Sequence, residues 1–106
     1  MSIYSCYEDI GRYNALKASL SNVVSSLNAS TTKISPVPNI IYSAYNVDDN
    51  ETPVVGRIKK LNQDIAGTST YISNVVIPAI DAAISKKRRE IFRLEQEEAK
   101  NAAMKN

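Results

Sequence analysis

Cys6, Tyr13, Leu20, Leu27 and Ile34 fall every seven residues, with Ile3, Ile10, Leu16 and either Val23 or Val24 between them. Steps of three and four place side chains on one face of an α-helix, and a mean period near 3.5 favours packing lengthwise against another helix. The spacing predicts a helix over about residues 3–34. Its other face is rich in Ser and Asn ("KASLSNVVSSLNAST"), which form helices poorly, and Gly11 weakens it further. Such a helix depends on what it packs against.

The pattern breaks at residues 35–53, "SPVPNIIYSAYNVDDNETP". Pro36 and Pro38 lack amide donors and push the residues before them out of the α region. Ile40, Ile41, Ala44 and Val47 keep helical spacing, so a short helical turn is expected over Asn39–Tyr45. "DDNETP" is turn material, and Asp49 or Thr52 is placed to cap a following helix with Pro53 in its first turn. The chain reverses here.

A second long helix is expected over about residues 54–103. Its stripe reads Ile58, Leu61, Ile65, Thr68, Ile72, Val75 and Ala79, then continues in a shifted phase as Ile77, Ile80, Ile84, Ile91 and Leu94. The shift falls at Pro78, whose ring removes the bond to the carbonyl of Asn74. Either the proline kinks one continuous helix or it begins a separate one. At 1.5 Å per residue, about 50 helical residues extend about 75 Å, against about 48 Å for the first segment. The resulting overhang exposes Ile84, Ile91 and Leu94 unless another chain covers them. The predicted fold is all-α, a single elongated antiparallel helical hairpin resembling a coiled coil.

Composition narrows the function. The chain has 106 residues, no Trp, one Phe and three Gly, too little material for a large dry core. Thirteen basic against eleven acidic side chains give a net charge of +2, far from the basic excess of a nucleic-acid binder. The lone Cys6 cannot form an internal disulfide, and with no His the usual base of a Cys nucleophile and the commonest metal ligand are both missing. No phosphate loop or nucleophile–base pair occurs, so neither catalysis nor a cofactor is expected. Asp48, Asp49 and Glu51 lack the order of a calcium loop and read as a solvated turn. No run approaches the roughly 18 apolar residues of a spanning helix, and the amino terminus has no Sec-type apolar region. The expected location is the cytoplasm, with any export proceeding without a cleaved signal.

"SKKRREIFRLEQEEAKN" concentrates charge, but Lys86–Arg89 are followed at once by Glu90, Glu95, Glu97 and Glu98. Arg93 and Glu97 form an i, i+4 pair, so a mixed-sign solvated helix outweighs a phosphate or membrane patch. Tyr-x-x-x-acid occurs at Tyr4–Glu8 and Tyr45–Asp49, and two sequons start at Asn28 and Asn50. Each is short enough to arise by chance.

"YEDIGRYNALKASLSNVVSSL", a mid-chain reversal and "LNQDIAGTSTYISNVVIPAIDAAISKKRREIFRLEQEE" together resemble the small helical accessory proteins found beside LXG toxins in Gram-positive type VII (ESX-type) secretion systems. The resemblance spans nearly the whole chain and lies in Ile/Leu spacing, Ser/Asn-rich faces and the "YISNVVIPAI" run. It implies a helical hairpin related to the WXG-type proteins, binding the helical N-terminal domain of a toxin and assisting its export. The chain departs from the WXG pattern, since Gly56 and Gly67 have no Trp two residues before them, and its secretion-type Tyr45/Asp49 match lies in the loop rather than the tail.

The expected partner surface comprises Tyr13, Leu20, Leu27 and Ile34 on the first helix and Ile58, Ile65, Ile72, Ile80, Ile84, Ile91 and Leu94 on the second. At about 25 cal/mol per Å2, a few hundred Å2 of buried apolar surface are worth several kcal/mol. Two rivals remain: a homo-oligomeric structural coiled coil, such as a phage or scaffold component, and a lipid- or nucleic-acid-binding helix acting through Lys86–Arg89.

Overall fold

The computed structural model describes residues 2–45 and 53–105, all helical apart from Ser2 and the turn at Ser35 and Pro36. Helix α1 spans Ile3–Ile34, α2 Val37–Tyr45 and α3 Pro53–Tyr71; a π-helical segment, Ile72–Val76, leads without a break into α4, Ile77–Lys105. The chain is an all-α helical hairpin, as its heptads predict. It divides into two compact units, Met1–Leu20 with Val75–Asn106 and Ser21–Asn74.

Local chemistry sets the ends. Ser2 caps α1: its Oγ accepts from the Ser5 amide at 3.0 Å while Ser5 Oγ accepts from the Ser2 amide at 3.1 Å. At the other end the Ser35 amide donates to the Thr31 carbonyl at 2.9 Å, and Pro36 then supplies no donor. Helix α2 begins two residues earlier than Asn39 because Pro38 tolerates a first turn, where its missing amide costs nothing. Pro53 opens α3 for the same reason. The capping residues expected for α3, Asp49 and Thr52, lie outside the described residues.

Burial defines the seam of each helix. On α1 the buried and half-buried positions include Ile3, Cys6, Ile10, Tyr13, Lys17, Leu20, Val24, Leu27, Thr31 and Ile34, an unbroken three–four alternation. Lys17 takes the interleaving place that Leu16 was expected to fill, and of the two valines offered for the next place Val24 takes it, so Leu16 and Val23 are exposed. Along α3 and the π-helical segment the alternation runs Val55, Ile58, Asn62, Ile65, Ser69, Ile72 and Val76, leaving Leu61, Thr68 and Val75, and Ala79 at the start of α4, exposed. Each displaced apolar residue Leu16, Val23, Leu61 and Val75 stands immediately before a seam position. An alternation of three and four is stricter than a preference for apolar side chains.

Beyond Val76 the seam resumes at Ile80, Ile84, Lys87, Ile91 and Leu94, one residue later than the alternation requires. The π-helical turn absorbs that residue, because its i→i+5 bonds enclose one more residue than an α turn. Pro78 therefore neither ends the helix nor starts it from a loop; it sits in the first turn of α4, where no α-helical bond to its nitrogen is needed.

In the first unit α1 and α4 run antiparallel: Asp9 meets Lys87 and, further along, Lys17 meets Asp81. Cys6, Ile10, Ile80, Ile84 and Ile91 form its core, with Ile3, Tyr13, Leu20, Val76 and Leu94 packed around them. The expectation that Ile84, Ile91 and Leu94 overhang into solvent is thus corrected, since the start of α1 reaches Leu94. Only residues after Leu94 extend past the packed layer, and these ("EQEEAKNAAMK") are all exposed and mostly polar. In the second unit α2 packs on α3, with Lys59 Nζ 5.7 Å from the centre of the Tyr42 ring.

If the additional residue demands the π turn, deleting Pro78 should convert Ile72–Val76 to α-helix without lowering the melting temperature. Pro78→Ala, which keeps that residue, should retain the π turn and shift stability by less than about 1 kcal/mol. Backbone chemical shifts read both. Loss of the π turn in Pro78→Ala would contradict the explanation.

Candidate partner-binding surfaces

The two units bury their seams to different degrees. In the first, Cys6 is fully buried, and Ile80, Ile84 and Ile91 are 7%, 5% and 5% exposed. These three, expected to meet a partner, instead seal the chain's own α1–α4 contact, and Tyr13, Leu20 and Leu94 are half-buried against them. Opposite charge reinforces the pair: Lys87 Nζ lies 2.9 Å from Asp9 Oδ2, and Lys17 Nζ 2.8 Å from Asp81 Oδ1. The hydrogen bond from Lys87 holds the Asp9 carboxyl below its ordinary range, and Asp9 in turn raises the Lys87 ammonium.

In the second unit Val55 is fully buried, whereas Leu27, Ile34, Ile58, Ile65 and Ile72 are only half-buried. Two places in its seam carry polar side chains. Ser69, 5% exposed, donates from Oγ to Asn28 Oδ1 at 2.7 Å. Asn62 donates from Nδ2 to Ser35 Oγ at 3.0 Å, leaving its own Oδ1 buried without a partner among the described residues. These bonds tie Asn28 to Ser69 and Ser35 to Asn62, which fixes α1 and α3 antiparallel and in one register. They contribute little apolar burial. A cleft of about 340 Å3 lies beside them, bordered by Ile34, Pro38, Ile58, Lys59 and Asn62.

The missed feature is a row beside the seam. Val54 and Leu61 on α3 are 55% and 52% exposed, and Val23 on α1 is 43% exposed. All three precede the first residue of a heptad step, and in an antiparallel pair such positions share one side. In the first unit Leu16 and Val75 occupy equivalent places. The sequence places Leu16, Leu61 and Val75 on the packed stripes because they are apolar, offers Val23 as an alternative to Val24, and gives Val54 no place.

Two arginines are paired within their own helices. Arg12 pairs with Glu8 and Asp9, and Arg93 with Glu90 and, as the spacing predicts, Glu97 at 3.0 Å. No group of His, Cys, Asp and Glu able to hold a metal occurs among the described residues, and none of the described helices is long and apolar enough to cross a membrane. Asp49 of the Tyr45/Asp49 match, and the acidic cluster Asp48, Asp49 and Glu51, lie outside the described residues, as does the side chain of Tyr45. No protein-family model, curated protein or solved structure matches the chain.

Ile84→Ala or Ile91→Ala should cost about 2–4 kcal/mol in denaturant unfolding, whereas Leu61→Ser should stay within about 0.5 kcal/mol. Equal costs would place Leu61 in a core.

Acid titration tests the Asp9–Lys87 bond. The folded chain holds the Asp9 proton less tightly than the unfolded chain, so the pair stabilises the fold above the ordinary carboxyl range, near pH 4, and that contribution fades as pH falls through the folded value. Lys87→Met should flatten this acid limb of the melting temperature relative to the parent; an unchanged limb would remove the pair from the account.

Proposed function

We propose that this chain is a non-enzymatic helical partner that binds the N-terminal helical domain of an LXG-type toxin and accompanies it to type VII secretion. The reading draws on the sequence resemblance and on the helical hairpin fold. The observation that carries it is the unequal closure of the two units. The first buries its Ile seam against itself, while the second keeps polar residues inside and leaves Val23, Val54 and Leu61 outside.

A two-helix seam fixed by Ser69–Asn28 and Asn62–Ser35 holds its register without consuming the apolar row beside it. Val54 and Leu61 are seven residues apart, one coiled-coil repeat, and so present contacts at the pitch of a third helix lying alongside. That helix, supplied by the toxin, would bury a few hundred Å2 and complete a three-helix bundle, contributing several kcal/mol. The half-buried Leu27, Ile34, Ile58 and Ile65 would be sealed by the same event. Tyr13, Leu20, Ile80, Ile84, Ile91 and Leu94 act indirectly, by holding the hairpin closed. Aspartate at Val54 and Leu61 would place charge in the new interface while leaving the free hairpin untouched.

Co-expression with the N-terminal domain of an LXG-type protein should yield a stable complex. The Val54→Asp/Leu61→Asp variant should lose affinity by tenfold or more while keeping its circular dichroism and melting temperature. No complex, or a complex indifferent to the double substitution, would overturn the proposal.

A further inference from the structure

Arg88, Phe92 and Glu95 lie on one face of α4, and each is exposed; Phe92 is 64% exposed, the largest apolar surface on the described part of α4 after Met104. With Tyr7, Ile10 and Ile91 they line a groove of about 350 Å3 between α1 and α4 of the first unit. This groove lies on the opposite side of the first unit's seam from Leu16 and Val75, and it shares no residue with the row of the second unit assigned above to a toxin helix.

Arg88 and Glu95 are the two charged side chains that line this groove. The residues three and four positions from Arg88 are Ile84, Ser85, Ile91 and Phe92; those around Glu95 are Ile91, Phe92, Glu98 and Ala99. Neither has an opposite charge within the reach of a helical i, i+3 or i, i+4 pair, and neither forms an ion pair with another described residue. At 1.5 Å per residue they stand about 10 Å apart along the axis, too far to pair with each other. Lys87 and Arg93, by contrast, are matched within the chain.

We infer that this groove is the interface for a second copy of the same chain, paired antiparallel through α4. A two-fold axis between Ile91 and Phe92 is equidistant from Arg88 and Glu95. It places Arg88 of each copy against Glu95 of the other and Phe92 of each against the other's Ile91–Phe92 step. The face is self-complementary in charge and carries its aromatic anchor at the centre of symmetry. Ser85 and Ala99 bracket the face with small side chains that let the helices approach. Tyr7 forms the second wall, against which the incoming Phe92 rests. The interface is small, so the dimer forms at micromolar concentration or weaker.

Sedimentation equilibrium on the full chain from micromolar to millimolar concentration, with circular dichroism of each variant, provides the test. The parent should show a monomer–dimer equilibrium. Arg88→Glu and Glu95→Arg should each weaken it about tenfold, because each replaces two attractions by two repulsions. Combined in one chain, they should restore dimerisation to within about threefold of the parent, a recovery that general damage to the fold cannot produce. A parent that is monomeric throughout, a dimer indifferent to the single reversals, or a double reversal that stays weak would overturn the inference. So would protection of Phe92 only when a toxin helix is bound, which would assign the groove to that helix instead.

Discussion

Everything in this molecule follows from the three–four alternation along α1. It is unbroken from Ile3 to Ile34, and the helices packed against it must present side chains at the same intervals. Helix α3 with the π-helical segment does so from Val55 to Val76, but only by accepting Asn62 and Ser69 at seam positions. Helix α4 does so from Ile80 to Leu94, but only after one residue has been absorbed in the π turn. Register outranks both side-chain polarity and ideal helix geometry here, because a slip of one residue rotates a helical face by about 100° and removes every contact at once.

Satisfying that constraint divides the hairpin's labour. Where Ile meets Ile, as at Ile10, Ile84 and Ile91, the contact closes on itself and the flanking ion pairs only reinforce it. Where Ser69 meets Asn28, hydrogen bonds set the register but bury little apolar surface, and such bonds contribute only about 1 kcal/mol each. The second unit is thus specified more strongly than it is stabilised. That combination suits a surface meant to be completed by another helix: it is correctly shaped in advance, so little ordering entropy remains to oppose binding.

The fold was largely legible in the sequence. Both long helices, the reversal between them and the phase shift at Pro78 could be read from spacing and proline chemistry alone. What spacing could not supply was which of two adjacent residues occupies the seam. Leu61 and Asn62, or Val75 and Val76, satisfy a helical period almost equally, and a preference for apolar side chains chose Leu61 and Val75. Packing chose Asn62 and Val76, because only they continue the alternation from Val55. The same preference hid the exposed row, so Leu61, first placed on the packed stripe, became with Val54 a candidate for a partner. The short α2 lies where the spacing of Ile40, Ile41 and Ala44 put it, starting two residues earlier, and it packs on α3.

The central claim is that one unit closes on itself and the other awaits completion. Native-state amide hydrogen exchange on the isolated chain tests it most directly, because protection reports local opening free energy. The account predicts that amides around Ile10 and from Ile80 to Ile91 exchange slowest. Those around Leu27 and from Ile58 to Ile65 should exchange at least tenfold faster. Equal protection in both segments, or greater protection around Ile58 to Ile65, would contradict it.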